Sequence, residues 1–230
     1  MIGKFENINI IMTQYLYITF LYFINMKHKD KIILRLVKRY NKNKRLMLID
    51  LGAGGKPFQK VLPRNINYES SDIDPACNPD ILCDLNKKFP IKNKVYDFVI
   101  CTEVLEHVLN PVNTIKEIKR ITKDDGFIII SLPNEYNLYL RLKFLLGIQN
   151  NTEIPFRNNL GLNHIHKPRV KDIIKLYKSC LNIKEILYSW DSFSDKKFNW
   201  IIDVIIRNFL MPISKNLFSR SVIVIGNKKT

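Results

Sequence analysis

Leu46-Met47-Leu48-Ile49 runs directly into Asp50-Leu51-Gly52-Ala53-Gly54-Gly55, and this junction constrains the fold more than any other stretch of the chain. A short continuous apolar run is the pattern of a strand buried on both faces, as the inner strands of parallel sheets are. Glycines directly after it predict a tight turn with bare backbone, where a ligand can come close. Phosphate is the usual occupant of such turns, because unpaired N–H groups at a helix N-terminus attract anions. A carboxylate at position 50 opposes an anion there. It suits a ligand that is positively charged near the turn.

Strand-like stretches follow at 67–71, about 80–83, 95–101, 126–131, 182–189 and 220–226, alternating with helix-like stretches at 57–62, 112–122, 136–146 and 168–180. This alternation predicts an α/β fold with a mostly parallel sheet covered by helices, and places ligands at the carboxyl ends of the strands. Asp124-Asp125-Gly126 reads as the turn before the fifth strand and Pro133-Asn134 as its end, while Pro168 opens a helix reaching Cys180. Before the first strand, Ile32, Ile33, Leu36, Val37 and Tyr40 recur at helical spacing, with Lys31, Arg35, Lys38 and Arg39 between them. That is an amphipathic basic helix. We read residues 1–45 as a basic helical N-terminal extension and 46–230 as one domain, with a helical insertion at about 191–219 before the last strand.

Charge supports that division. The formal net charge is +16, of which residues 1–45 carry +8 (ten Lys/Arg against Glu6 and Asp30) and 196–230 carry +6 (seven against Asp203), leaving +2 for the middle. Asn7 to Met26 holds no charged residue for twenty positions but includes Asn9, Thr13, Gln14, Thr19 and Asn25. Three readings fit it: a membrane span on length alone, a packing or amphipathic helix, or a segment upstream of a start at Met26. No small-residue cleavage site follows it, which argues against a signal peptide. Cys77, Cys83, Cys101 and Cys180 form no C-x-x-C pair and no metal-ligand spacing, so neither a disulfide framework nor a zinc site is expected, and a reducing cytoplasm is the natural compartment.

Four features occur in fixed order, each at the end of a candidate strand: the Asp50 turn, Asp72 in YESSDIDP, Asp84 in ILCDL, and Thr102, Glu103, Glu106 and His107 in VYDFVICTEVLEHV. Together with Lys119 to Gly126 followed by Ser131-Leu132-Pro133-Asn134, this set resembles the class I S-adenosylmethionine-dependent methyltransferases of types 11 and 23 over roughly residues 46–190. The resemblance implies a Rossmann-like three-layer sandwich with a mostly parallel seven-stranded sheet whose last strand is antiparallel. It also answers the question posed by Asp50, because the cofactor S-adenosylmethionine carries a sulfonium and an ammonium group and no pyrophosphate. By resemblance, Asp50 faces its methionine end, Gly52 and Gly54 let the backbone pass close, and Asp72 binds the ribose. Ile73 covers one adenine face, Asp84 and the Leu85 backbone read the adenine edge, and Thr102 and Glu103 lie beside the methionine. Each carboxylate has a plainer reading: Asp50 and Asp72 as helix caps, Asp84 as a turn opener, Glu106 as a solvated helix residue. Lys56 stands where many relatives have a third glycine and Pro57 follows, so the first helix is expected to be short or irregular.

Methyl transfer is an in-line displacement at carbon, governed mostly by positioning. O-methylation gains from a general base, and the available imidazoles are His107, His164 and His166; the last two also suit ordinary loop roles or half a metal site. No metal is expected overall. A nicotinamide oxidoreductase fits poorly, since the dinucleotide fingerprint G-x-G-x-x-G finds Pro57 in place of its third glycine. An idle, cofactor-binding subunit remains a rival, as does an RNA or protein methyltransferase, because basic ends neutralise phosphates. The DNA amino-methylation motif N/D-P-P-aromatic is replaced by Cys101-Thr102-Glu103-Val104. The acceptor expected is a small molecule, a glycan or a lipid-linked compound. Tyr15, Tyr17, Phe20, Tyr22 and Phe23 before Lys27, and Trp200, Phe209 and Phe218 among Lys196, Lys197, Arg207 and Lys215, suit either an anionic membrane surface on its inner face or a lid over the site.

Overall fold

The computed structural model describes residues 26–41, 44–148, 164–190 and 199–229. The uncharged segment 7–25, residues 191–198 of the expected insertion and Asn163 lie outside the described residues.

Seven strands form one sheet in the order β3-β2-β1-β4-β5-β7-β6: β1 (Leu46–Leu51), β2 (Ile66–Asp72), β3 (Ile81–Leu82), β4 (Tyr96–Thr102), β5 (Thr122–Pro133), β6 (Leu181–Ser189) and β7 (Ser221–Lys228). β1 pairs in parallel with β2 and β4, as does β2 with β3 and β4 with β5, while β7 runs antiparallel to both β5 and β6. The chain crosses from β1 outward to β3 and returns to β4, so the strand order reverses between β1 and β4. The carboxyl ends of those two strands border the switch point, where open α/β sheets hold their ligands.

Successive strand residues point to opposite faces, and here both faces are dry. Ile49, Leu51, Val99, Cys101, Ile128, Ile130 and Val224 pack on one side with Ile115, Ile118 and Ile121 of α2 (Pro111–Ile121) and Val170, Ile173 and Tyr177 of α4 (Val170–Cys180). Leu46, Leu48, Phe98, Ile100, Ile129 and Ile223 pack on the other with Ile33, Leu34 and Val37 of α1 (His28–Tyr40), and with Phe58 and Val61. Helix α1 therefore supplies one outer layer of the sandwich. Its basic side is exposed, and at its end Arg39 and Tyr40 donate to Glu185 of β6 at 2.8 Å and 2.7 Å.

Two expectations needed adjusting. Residues 57–62 form linked turns rather than a helix, with Val61 N donating to Phe58 O (3.0 Å) and Gln59 N to Lys56 O (3.3 Å). Pro57 lacks a donor, and the compact turns still bury Phe58 completely. Secondly, β5 begins at Thr122, where α2 ends, so Asp124-Asp125-Gly126 is part of the strand, next to a register shift against Tyr96/Phe98. A side chain at Gly126 would lie 3.0 Å from the Tyr96 carbonyl, which explains glycine at this irregularity.

The insertion is helical where described: α5 (Asn199–Ile205), a π-helical turn (Ile206–Leu210), and the short helices α6 (Met211–Ile213) and α7 (Lys215–Phe218). Helix α3 (Leu138–Leu145) follows β5. Among the described residues, no helix is long and apolar enough to cross a membrane.

Candidate functional site

The turn after β1 is bare backbone held by its neighbours. Gly52 N and Ala53 N both donate to Ser71 O (2.8 and 3.0 Å), which draws the turn onto the end of β2. Gly52 has φ +69°, and a Cβ there would meet Val104 Cγ2 at 2.5 Å, so this position takes glycine for two independent reasons. Gly54 has φ +47° but faces open space, with nothing within 4 Å of an added Cβ. One glycine packs the turn and the other leaves it accessible. Lys56 stands where the third glycine was missing and also takes the left-handed conformation (φ 53°), its Nζ donating to Asn78 O at 2.6 Å.

The carboxylates fall as the strand pattern predicted, with different surroundings. Asp50 is buried, on the α1 face of the sheet, and accepts a hydrogen bond from Tyr68 Oη at 3.1 Å. Burial raises its pKa from 3.8 to about 7, with the Tyr68 bond acting against the rise. Asp72 Oδ2 accepts from Gly54 N at 2.9 Å and Oδ1 from Asp74 N at 3.0 Å, so it joins the two strand ends across the crevice. Ile73 beside it is 56% exposed. Asp84 accepts from Asn86 N (3.0 Å), a bond that lowers its pKa, and Asn86 in turn accepts from Leu109 N (2.7 Å). Leu85 O is taken by Thr114 Oγ1 at 3.1 Å. Thr102 ends β4 opposite Ser131 of β5, and Glu103 follows at φ 55°, accepting from Ser131 Oγ at 2.8 Å.

Glu106 departs from its plain reading. It lies in a turn, its side chain has no exposure, and among the described residues neither carboxylate oxygen has a hydrogen-bond partner. Burial first and the Glu103 charge second push its pKa well above the usual carboxylate range. The segment around His164 is fastened over it, since Ile165 N and His166 N both donate to Glu106 O (2.8 and 3.0 Å). His107 and His164 meet edge to face with centroids 4.7 Å apart, whereas His166 turns aside to bond Val108 O at 2.9 Å. The three candidate imidazoles thus separate into a pair and an outlier. Glu135, which the sequence reading passed over, bonds His164 Nδ1 and also borders a cavity of about 450 Å³ with Tyr136, Leu140, Lys143, Phe144 and Lys167. Its signal was an acid two residues past the carboxyl end of β5, near the strand-end level of Asp50 and Asp72.

Sheet order, bare glycine turn and carboxylates at successive strand ends define an α/β domain with its polar groups gathered at the carboxyl ends of the strands. Residues 22–178 match the family model described as a methyltransferase domain. The chain belongs to that family, and S-adenosylmethionine is the cofactor that family and fold assign to it. The cradle fits such a group, because the open backbone at Gly54 follows closely on a buried carboxylate, Asp50, that accepts from Tyr68. Among relatives, the ubiquinone biosynthesis O-methyltransferase of Rickettsia canadensis is 29% identical over 142 residues, covering 56% of this chain and 58% of that protein. Protein MJ0638 of Methanocaldococcus jannaschii is 28% identical over 123 residues, covering 49% and 54%. The chain spans about half the length of the relatives it matches. A SAM-dependent methyltransferase from Archaeoglobus fulgidus shares the fold at a TM-score of 0.53 with 16% identity, covering 86% of this chain and 94% of that one.

Proposed function

We propose that the protein transfers a methyl group from S-adenosylmethionine to a hydroxyl of a small, glycan or lipid-linked acceptor that carries an apolar portion and negative charge. The observation that carries this reading is the cavity beside Glu135, whose walls are Tyr136, Leu140, Phe144, Leu145 and Ile148 and whose cations are Arg141, Lys143 and Lys167. Apolar walls with a few placed charges are what an amphiphilic ligand requires. Helix α3 continues the same character outward, with Phe144, Leu145 and Leu146 exposed at 79%, 78% and 72%. The relative named a ubiquinone biosynthesis O-methyltransferase favours oxygen as the methylated atom.

In this reading the cofactor supplies an electrophilic methyl group, and the chain's own residues position and balance charge. Asp50, ionised, stands opposite the cationic methionine end; Gly52 and Gly54 admit it. Asp72 accepts from the ribose hydroxyls with Ile73 against the adenine, and Asp84 and the Leu85 N–H read the adenine edge. Thr102 and Glu103 flank the methionine. His107 and His164 meet beside Glu106 past the end of β4, and the acceptor proton leaves to solvent water.

Transfer of labelled methyl from S-adenosylmethionine to paired acceptors, one anionic and amphiphilic and one neutral and polar, tests the proposal. Preference for the anionic amphiphile, with KM raised at least tenfold by Lys143→Glu and cofactor affinity unchanged, is the expected result. Equal use of both acceptors, unaffected by the charge reversal, would refute the acceptor assignment.

A further inference from the structure

We propose that Glu106, His107 and His164 form a binding site for one divalent transition-metal ion, such as Zn²⁺, Mn²⁺ or Co²⁺, with Glu135 orienting His164 from behind. A carboxylate buried without a hydrogen bond is rare, since water is lost and nothing replaces it. Among the described residues Glu106 is in that position, yet it is not remote from other polar groups. Its Oε1 lies 3.9 Å from His107 Nε2 and 3.9 Å from His164 Nε2. Those distances are too long for hydrogen bonds. Two donors on one ion stand roughly 2.8–3.6 Å apart for bonds of about 2.0–2.2 Å at octahedral to tetrahedral angles, so these side chains need to close by only a few tenths of an ångström around an ion. All three donor atoms lie within 4.8 Å of one another.

The arrangement behind the donors points the same way. His164 Nδ1 is bonded to Glu135, whose side chain is 6% exposed. A carboxylate on Nδ1 fixes the proton there and leaves the Nε2 lone pair directed at Glu106, the usual support of a metal-bound imidazole. The two backbone bonds from Ile165 and His166 to Glu106 O hold this partner, distant in sequence, in place. Two imidazoles with one carboxylate favour a borderline transition ion over Mg²⁺ or Ca²⁺, which prefer oxygen. Three protein ligands leave coordination positions open, as catalytic sites do and closed structural sites do not. On the O-methylation reading above, an acceptor hydroxyl takes an open position. The oxygen–methyl bond then forms as the methyl–sulfur bond breaks, and the hydroxyl proton leaves to solvent water.

Binding is tested without methyl transfer, so failure of this proposal is separable from failure of that reading. Tag-free full-length protein, stripped with chelator, is titrated with Co²⁺ and followed by visible d–d absorption. One equivalent with a new band is expected; His107→Ala and His164→Ala each abolish it, and Glu135→Gln weakens it by about 10–100-fold. Circular dichroism confirms that each variant stays folded; if His164→Ala does not, the His107→Ala result decides. No band, or a band that survives His107→Ala unchanged as adventitious binding elsewhere would, overturns the proposal.

Discussion

Gly52→Ala separates two costs that the structure superimposes at one atom. The substituted residue must hold φ near +69°, and its Cβ would meet Val104 Cγ2 at 2.5 Å. The left-handed conformation costs a residue with a Cβ about 1–2 kcal/mol. Relieving the contact requires Val104 or the turn to move, an overpacking cost of about 1–3 kcal/mol. The expected loss is therefore about 2–5 kcal/mol, read by urea unfolding as a lower midpoint at constant slope. Val104→Ala removes both offending methyls, so Gly52→Ala in that background should lose only the conformational part. The resulting coupling, about 1–3 kcal/mol, is measured by the double-mutant cycle. Gly54→Ala is the internal control: at φ +47° with open space around it, it should cost only about 1–2 kcal/mol of stability but weaken S-adenosylmethionine binding more than Gly52→Ala does once both are folded. If Gly52→Ala and Gly54→Ala destabilise equally, or if Val104→Ala recovers nothing, the assignment of one glycine to packing and the other to the cradle is wrong.

Other outcomes follow from the same contacts. Because burial raises the Asp50 pKa to about 7, the folded state binds more protons than the unfolded chain between about pH 4 and 7, so Asp50 lowers stability as pH rises through that window. Asp50→Asn should flatten that limb of the stability–pH curve, and an unchanged curve would mean that the carboxylate titrates normally. Binding of a cationic cofactor needs the ionised form, so wild-type affinity should increase as pH rises towards 7; Tyr68→Phe, which removes the donor opposing the shift, should move that rise to higher pH. Arg120→Met should cost about 2–4 kcal/mol in thermal or urea unfolding, because the guanidinium bonds Ile91 O, Phe89 O, Asn93 and Glu117 together; a loss under about 0.5 kcal/mol would show that these bonds are replaced by water.

Much of this was visible in residue order alone, for physical reasons. Strands buried on both faces write themselves as apolar runs, so Leu46 to Leu51 and Phe127 to Leu132 announced a covered parallel sheet. Asp50 and Asp84 stood out because each follows a short apolar run, and Asp72 because it comes at the end of the next candidate strand after Asp50. What stayed hidden depends on contacts between distant segments. Glu106 looked like a solvated residue, since nothing local reveals that the segment around His164 folds over it. Glu135 had no marked neighbour in sequence and gains its meaning from His164. The first helix failed to form because Pro57 and left-handed Lys56 interrupt it, a local effect that the sequence did suggest. The charge of residues 1–45 suggested an extension, while the apolar stripe of α1 within that range packs on the sheet and leaves its basic side exposed.

Asp50 is proposed as the anionic wall of a pocket for a positively charged adenosyl donor. Isothermal titration of the full chain with S-adenosylmethionine at pH 8, wild type against Asp50→Asn, measures that directly. One molecule bound per chain, weakened by about 10–100-fold in the variant, about 1.4–2.8 kcal/mol, is the predicted result. Absence of binding, or equal affinity in the two proteins, would contradict it.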